Sequence, residues 1–547
     1  MTEQALVVAG HGSHRNPDSS SPVYSVVEAV RERGTFAEVR PAFWKEAPSI
    51  RNVLHTVDAD GVIVVPLFVS EGYFVDRVLP REFALGEEDR ADDDPPTVQY
   101  ADPVGTHPAM TDVISARARR MLESAPDDPV VGDDTALAVV GHGTERNPNS
   151  ADTVYDHVEA LRERGTFAEV GALFMDEAPY VEDADEQFDA DELAVVPLFA
   201  ADGFHTRDEI PELLGLTDDP GTGDPVPAAV EGRRVWYASA VGTDPLAVDV
   251  VLERAEEAGA NLDCPAGVEA PRPVREEAGA AFVSWVESAS DAAESVRVWG
   301  ELAVTPTEGG DYELRHRDDR DAPSADLDPL SLDDLRETVR YADDGRYRPF
   351  AGEESLPTGW VLSGLDEDGL LRAVSTVYPA GVEHWAAERS GDLETVSFRA
   401  VAERQTGIYD CVDDLSREEF ARTVEACCGD CSKRREWAET DGEAAASLGP
   451  GAAADVDDGG IPCREPCSFL VAAAREFHRH ESAPTDDADR TDESQTERPD
   501  ADVPRGDLTD PANRYRVRYR RARGVTDRRP NDGRTNDDRA NDRRVKL

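Results

Sequence analysis

Lysine is almost missing from this chain: Lys45, Lys433 and Lys546 are the only three in 547 residues, and every other basic side chain is arginine or histidine. Asp and Glu total 115 against 57 Lys and Arg, a formal charge of −58. Such an acidic excess with so little lysine fits a protein that works in concentrated salt. There the Debye length shrinks to about 3 Å and self-repulsion becomes tolerable. The charge therefore describes the solvent, and it argues against nucleic-acid binding by the folded part. Long apolar runs are missing as well. A run such as Val62–Phe68 is far shorter than the roughly 20 residues of a membrane helix. The N-terminus, MTEQALVVAGHG, lacks the cationic stretch and small-residue cleavage site of a secretory signal. A soluble cytoplasmic protein is expected, with no membrane partner. Cysteine is absent before Cys264 and then clusters at Cys411, Cys427, Cys428, Cys431, Cys463 and Cys467. An odd, clustered set in such a protein reads as metal ligation rather than disulfides.

What is present is a duplication. Residues 10–48 align without a gap to 141–179 at an offset of 131, with 25 of 39 positions identical. The same offset carries Val64–Phe68 (VVPLF) onto Val195–Phe199, Gly72 onto Gly203 and Pro80 onto Pro211. Val104–Thr106 recurs as Val241–Thr243. So long a period means two copies of one domain rather than a solenoid.

Each copy reads as α/β. Leu6–Ala9 and Leu137–Val140 are short apolar runs ending at Gly-His-Gly, as buried parallel strands do. Val23, Val26, Val27 and Val30 share one helical face, which Gly34 ends. Val154, His157, Val158 and Leu161 repeat it before Gly165. Strands at Val39–Trp44 and Val170–Met175, a short helix at Ser49–Val57 and the VVPLF strand follow. This β-α-β-α-β order predicts a right-handed parallel sheet, with ligands off the carboxyl ends of its strands.

Two histidines fall on that edge: His142 follows the first strand of copy two, and His205 follows VVPLF in FAADGFHTRDEIP. Imidazole ligates Co, Ni, Fe and Zn, and when neutral it accepts a proton. A pair with open coordination positions suits a metal held briefly and then given away. Copy one keeps His11 but has Phe74 where His205 stands. Glu46 and Glu177, in the E-A-P segments, are candidates to relay protons or orient an imidazole, or simply to place charge at a helix start.

The GHG turn, the P-L-F strand and the G-[FY]-H-x3-[DE]-I-P segment together resemble the class II tetrapyrrole chelatases, most closely the CbiX-type sirohydrochlorin cobaltochelatases, over roughly residues 1–260. The resemblance implies two tandem chelatase-like, doubly wound parallel-sheet domains (1–130 and 131–262). It implies a metal held by His142 and His205 in the second copy, with His11 either assisting across a cleft or kept for packing. It implies a tetrapyrrole, sirohydrochlorin, as partner, its carboxylates met by Arg15, Arg146 and Arg207. Insertion of Co²⁺ for cobalamin is the expected reaction. Insertion of Fe²⁺ or Ni²⁺, a non-catalytic metal or tetrapyrrole carrier, and an iron–sulfur redox protein acting on corrinoid precursors stand as alternatives. No GxGxxG fingerprint follows a strand, which weighs against the last.

Beyond the duplication, residues 263–410 read as an α+β connecting domain with strand-like stretches at Val296–Val304, Gly359–Leu362 and Ala373–Tyr378. Residues 411–480 form a Cys-rich domain. Four thiolates there could hold structural Zn²⁺ or a [4Fe–4S] cluster. The irregular spacing and the doubled Cys427-Cys428 favour the cluster, on Cys428, Cys431, Cys463 and Cys467, with Cys427 or Cys411 as substitutes. Residues 481–547, acidic first and arginine-rich at the end, are expected to be a disordered tail.

Overall fold

The computed structural model describes residues 4–391 apart from 14–15, 51–52, 84, 86–96, 125–133, 145–148, 217–226, 231, 263–273, 289–295, 308 and 342–355. The Cys-rich segment and the charged tail lie outside the described residues.

The first lobe runs β1 (Gln4–Gly10), α1 (Ser21–Arg33), β2 (Glu38–Phe43), β3 (Gly61–Pro66), α2 (Leu79–Glu82), β4 (Thr97–Tyr100) and α3 (Met110–Glu123). Its four strands are parallel in the order β2-β1-β3-β4. The second lobe repeats this with β5 (Thr135–Gly141), α4 (Asn149–Arg164), β6 (Glu169–Phe174), α5 (Ala184–Gln187), β7 (Glu192–Pro197), α6 (Ile210–Leu213), β8 (Ala228–Val230), β9 (Arg233–Tyr237) and α7 (Ala247–Glu257). Its order is β6-β5-β7-β9-β8, with β8 added antiparallel at the edge. The continuous apolar strands follow from burial on both faces. In β1, Leu6 and Val8 face one core, Ala5 and Val7 the other. Gly34 and Gly165, at φ +63° and +61°, end α1 and α4 as predicted. The expected helix at Ser49–Val57 is reduced to one 3₁₀ turn, Val53–Thr56, among the described residues.

The lobes exchange helices. α3 packs against β7 of the second lobe, and α7 packs against β3 of the first. One apolar cluster accordingly contains Leu6, Val26, Ile114 and Val139, Val154, Val251 together. His157, buried on α4, pins this junction: Nε2–H donates to the Gly105 carbonyl (2.7 Å), and Nδ1 accepts from the Thr111 hydroxyl (2.9 Å). Burial lowers its pKa, which keeps it in the neutral form that this pattern needs.

A third unit follows: α8 (Glu276–Glu287), β10 (Arg297–Trp299), β11 (Leu302–Pro306), β12 (Tyr312–His316), β13 (Asp328–Pro329), α9 (Leu332–Arg340), β14 (Trp360–Leu365), α10 (Glu367–Val377) and α11 (Gly381–Ser390). Its sheet order is β10-β11-β12-β14-β13, mostly antiparallel. Two expectations are corrected here. Val296–Val304 is not one strand but a hairpin that turns at Gly300 (φ +60°) and Glu301. Ala373–Tyr378 is not a strand but the end of α10. Asp366 caps that helix by accepting from the Gly369 N–H (2.8 Å), and Leu370, Ala373, Val374 and Val377 form its buried stripe. The β-branched content of the segment hid a helical period. The unit docks on the first lobe through Arg275–Asp58 (2.6 Å) and through Arg336 stacked 3.9 Å over Tyr24.

Candidate functional site

In both sheets the chain leaves the first strand in one direction and the third in the other. The carboxyl ends of β1/β3 and β5/β7 are therefore switch points, where a crevice opens. Two loops meet at each. The first is the Gly-His-Gly turn. Gly12 and Gly143 have φ +64° and +65°, and a Cβ there would lie 2.7–2.8 Å from Glu46 Oε1 and Glu177 Oε1. Those carboxylates accept from the Ser13 and Thr144 backbone N–H at 3.0 Å. Glu177 thus holds the turn that carries His142. The carboxylate beside the imidazole itself is Asp176, whose Oδ2 lies 3.3 Å from His142 Nδ1. His142 Nδ1–H also donates to the Gly143 carbonyl (3.0 Å).

The second loop follows the third strand. It wraps into a π-helical turn, Phe74–Val78 in the first lobe and His205–Glu209 in the second, a form that gathers at functional sites. A tyrosine pins each turn, Tyr100 partly buried and Tyr237 buried. The Tyr100 hydroxyl donates to the Val75 carbonyl (2.9 Å), and the Tyr237 hydroxyl donates to that of Thr206. Burial raises both phenol pKa values, so both hydroxyls keep the proton they donate. The VGT segments back the loops at very close range. A Cβ on Gly105 would lie 2.2 Å from Val69, and one on Gly242 2.0 Å from the Ala200 oxygen.

In the second lobe these loops bring His142 and His205 together, with ring centroids 5.3 Å apart and planes at 81°. His205 Nδ1–H donates to Glu209 Oε2 (2.6 Å), a carboxylate buried beneath it. Both imidazoles therefore carry their proton on Nδ1, His205 against the Glu209 carboxylate and His142 against the Gly143 carbonyl with Asp176 at 3.3 Å, which leaves the Nε2 lone pair of each unprotonated. Such polar partners on one ring nitrogen fix the tautomer and orientation of an imidazole. Asp176 and Glu209 were not singled out from sequence. The signal for Glu209 was its i+4 spacing from His205 within the quoted motif; Asp176 had only its adjacency to Glu177.

The first lobe builds the same loops with other chemistry. At the shared offset of 131, Lys45 stands for Asp176, Phe74 for His205 and Val78 for Glu209. Phe74 packs against Trp44 (5.3 Å), Phe68 (5.4 Å) and His11 (6.1 Å). His11 is exposed on one side, and the protein around the other side desolvates its ring. That desolvation, with the charge of Lys45 and against the pull of the Gly12 carbonyl, lowers its pKa from 6.5 to about 4.

Of the arginines expected at the substrate, Arg15 and Arg146 lie outside the described residues. Arg207 pairs with Asp18 across the lobes, next to Asn16 Nδ2–Asp202 O (3.4 Å). A cavity of about 800 Å³ lies behind that pair, between α1 and the Asp202 and Asp244 segments; neither imidazole lines it.

Comparison with known proteins follows this division of the chain. The CbiX family profile matches residues 5–121 and 136–258. A profile described as the DR2241 stabilising domain matches 283–389, and one described as a 4Fe–4S iron–sulfur cluster binding domain matches 390–476. A probable sirohydrochlorin cobaltochelatase of Halobacterium salinarum is 52% identical over 273 residues, 47% of this chain and 92% of that protein. The sirohydrochlorin cobaltochelatase of Methanopyrus kandleri is 34% identical over 139 residues, 22% of this chain and 96% of that protein. A crystal structure from Deinococcus radiodurans superposes with a TM-score of 0.67 at 28% identity, covering 88% of this chain and all of that one. It is described as a multi-domain protein with structural similarity to chelatases and two additional novel domains.

Proposed function

Because this chain belongs to the CbiX family, we propose that it is a sirohydrochlorin chelatase that receives Co²⁺ on His142 and His205 and passes it into the macrocycle. The observation that carries the reading is the pair of imidazoles 5.3 Å apart, each backed on Nδ1 by its own carboxylate. Two protein ligands leave coordination positions on the ion for the incoming ring nitrogens.

Insertion breaks two pyrrole N–H bonds, forms metal–nitrogen bonds and releases two protons. As the ion leaves, the Nε2 lone pairs of His142 and His205 become the nearest bases, and Asp176 and Glu209 stabilise the imidazolium that forms. Glu177 acts one step back, by holding the turn. The metal keeps its oxidation state, so the transfer needs no electron donor. Cobalt is the metal in the names of the relatives. Imidazole also accepts Fe²⁺ and Ni²⁺, which makes metal choice a measured quantity.

The chain also carries a 4Fe–4S cluster binding domain. All six clustered cysteines fall within the matched segment, and soft thiolates are the ligands such a cluster takes; this favours cluster over zinc. Cys428, Cys431, Cys463 and Cys467 are the proposed ligands. When bound, the cluster supplies one-electron chemistry.

The test is anaerobic incubation with sirohydrochlorin and Co²⁺, Fe²⁺ or Ni²⁺, followed by absorbance. The metallated spectrum should grow with wild-type protein. If His142→Ala and His205→Ala each left insertion unchanged, the site reading would be lost.

A further inference from the structure

The first lobe keeps the whole scaffold of the metal site and none of its polar trio. An abandoned site that had merely lost its ligands would be expected to pack shut. Here the edge stays open: Tyr73 is 58% exposed, and Trp44, Phe68 and Phe74 are only partly buried. Phe74 is the hub, touching three rings, with Trp44 set nearly at right angles to it (83°). The replacement for Asp176 is Lys45, one of three lysines in a chain of net charge −58. Its backbone N–H donates to the His11 carbonyl (2.9 Å), so it is fixed beside the aromatic group.

We propose that Trp44, Tyr73 and Phe74, with Lys45 at their margin, form the face on which the tetrapyrrole lies, so that one lobe holds the ring and the other holds the metal. This rests on the chelatase reading above. A planar conjugated ligand fringed with carboxylates needs an aromatic surface to lie on. It also needs a cation, which an acidic protein must supply locally. A lysine in place of an aspartate makes the same edge repel a divalent ion. The loop that follows the His11 turn also reaches the second lobe. Asn16 and Asp18, just past the His11 turn, touch Asp202 and Arg207, which flank His205.

The experiment is a fluorescence and absorbance titration of full-length, cobalt-free protein with sirohydrochlorin, beside a dialysis measurement of Co²⁺ binding. Trp44→Ala and Phe74→Ala should each weaken ring binding roughly tenfold, as loss of a stacking partner does. The accessible substitutions Tyr73→Ala and Lys45→Glu, which spare the packed residues, should weaken it as well, Lys45→Glu most at low salt. Co²⁺ affinity and far-UV circular dichroism should stay at wild-type values, while His142→Ala should show the converse. Unchanged ring affinity in Tyr73→Ala and Lys45→Glu, with wild-type protein binding the ring, overturns the proposal and leaves the chelatase reading standing. Wild-type protein that takes up Co²⁺ but no ring overturns both.

Discussion

The two lobes are close copies in sequence and share the strand order of their parallel sheets, yet only one of them brings two imidazoles together at its strand ends. Both have the GHG turn, the glutamate that braces it, the π-helical turn and the tyrosine that pins that turn. In the polar groups around the histidine they part at three side chains: Asp176, His205 and Glu209 in one, Lys45, Phe74 and Val78 in the other, while Trp44 and Tyr73 stand where the second lobe has Met175 and Phe204. Scaffold and chemistry are therefore separable. Backbone-directed contacts survive in both copies, and the side chains that face the crevice change together. Those three changes also agree with one another. Removing an imidazole beside a buried carboxylate would strand a charge; here the carboxylate went with it.

The contrast can be broken most forcefully at its polar end. His142→Ala or His205→Ala should lower insertion by at least ~10²-fold, whereas His11→Ala should cost far less; equal losses would mean the lobes share the metal. Next come the carboxylates. Asp176→Asn and Glu209→Gln should each cost about 10–100-fold in metal affinity or activity, as outer-shell changes do, read by cobalt dialysis and by rate. A graft sharpens the comparison: Lys45→Asp, Phe74→His and Val78→Glu together should add a second cobalt site per chain, visible as a doubled dialysis stoichiometry at the lobes. The smallest effect is electrostatic. Nuclear magnetic resonance should find His11 titrating at about 4, and Lys45→Met should raise that value. Since the folded state refuses a proton that the unfolded chain accepts near 6.5, this group makes stability fall as pH drops from 6.5 towards 4, with no further effect below.

Much of this was legible beforehand. Strands and helices of the lobes announced themselves because their apolar residues keep one period over many residues: Val23, Val26, Val27 and Val30 lie on one helical face whatever the rest of the chain does. The histidine pair was legible because strand ends in a parallel sheet collect on one edge. The contact between α3 and β7 was not, because nothing in a helix's own period says which sheet it covers. Asp176 was overshadowed by Glu177, since only the turn geometry decides which of two neighbouring acids reaches the ring and which reaches the backbone. Ala373–Tyr378 misled for a related reason. In a short window β-branched residues read as strand, and the deciding features were Asp366 and Leu370, a few residues earlier.

The crossed helices have one more consequence. With α3 laid on the neighbour's sheet and α7 returned in kind, the two lobes are stitched to each other rather than hinged. Prising them apart would tear open a common interior. Relative motion of the two lobes therefore costs shared apolar burial, which ties the position of one strand edge to that of the other.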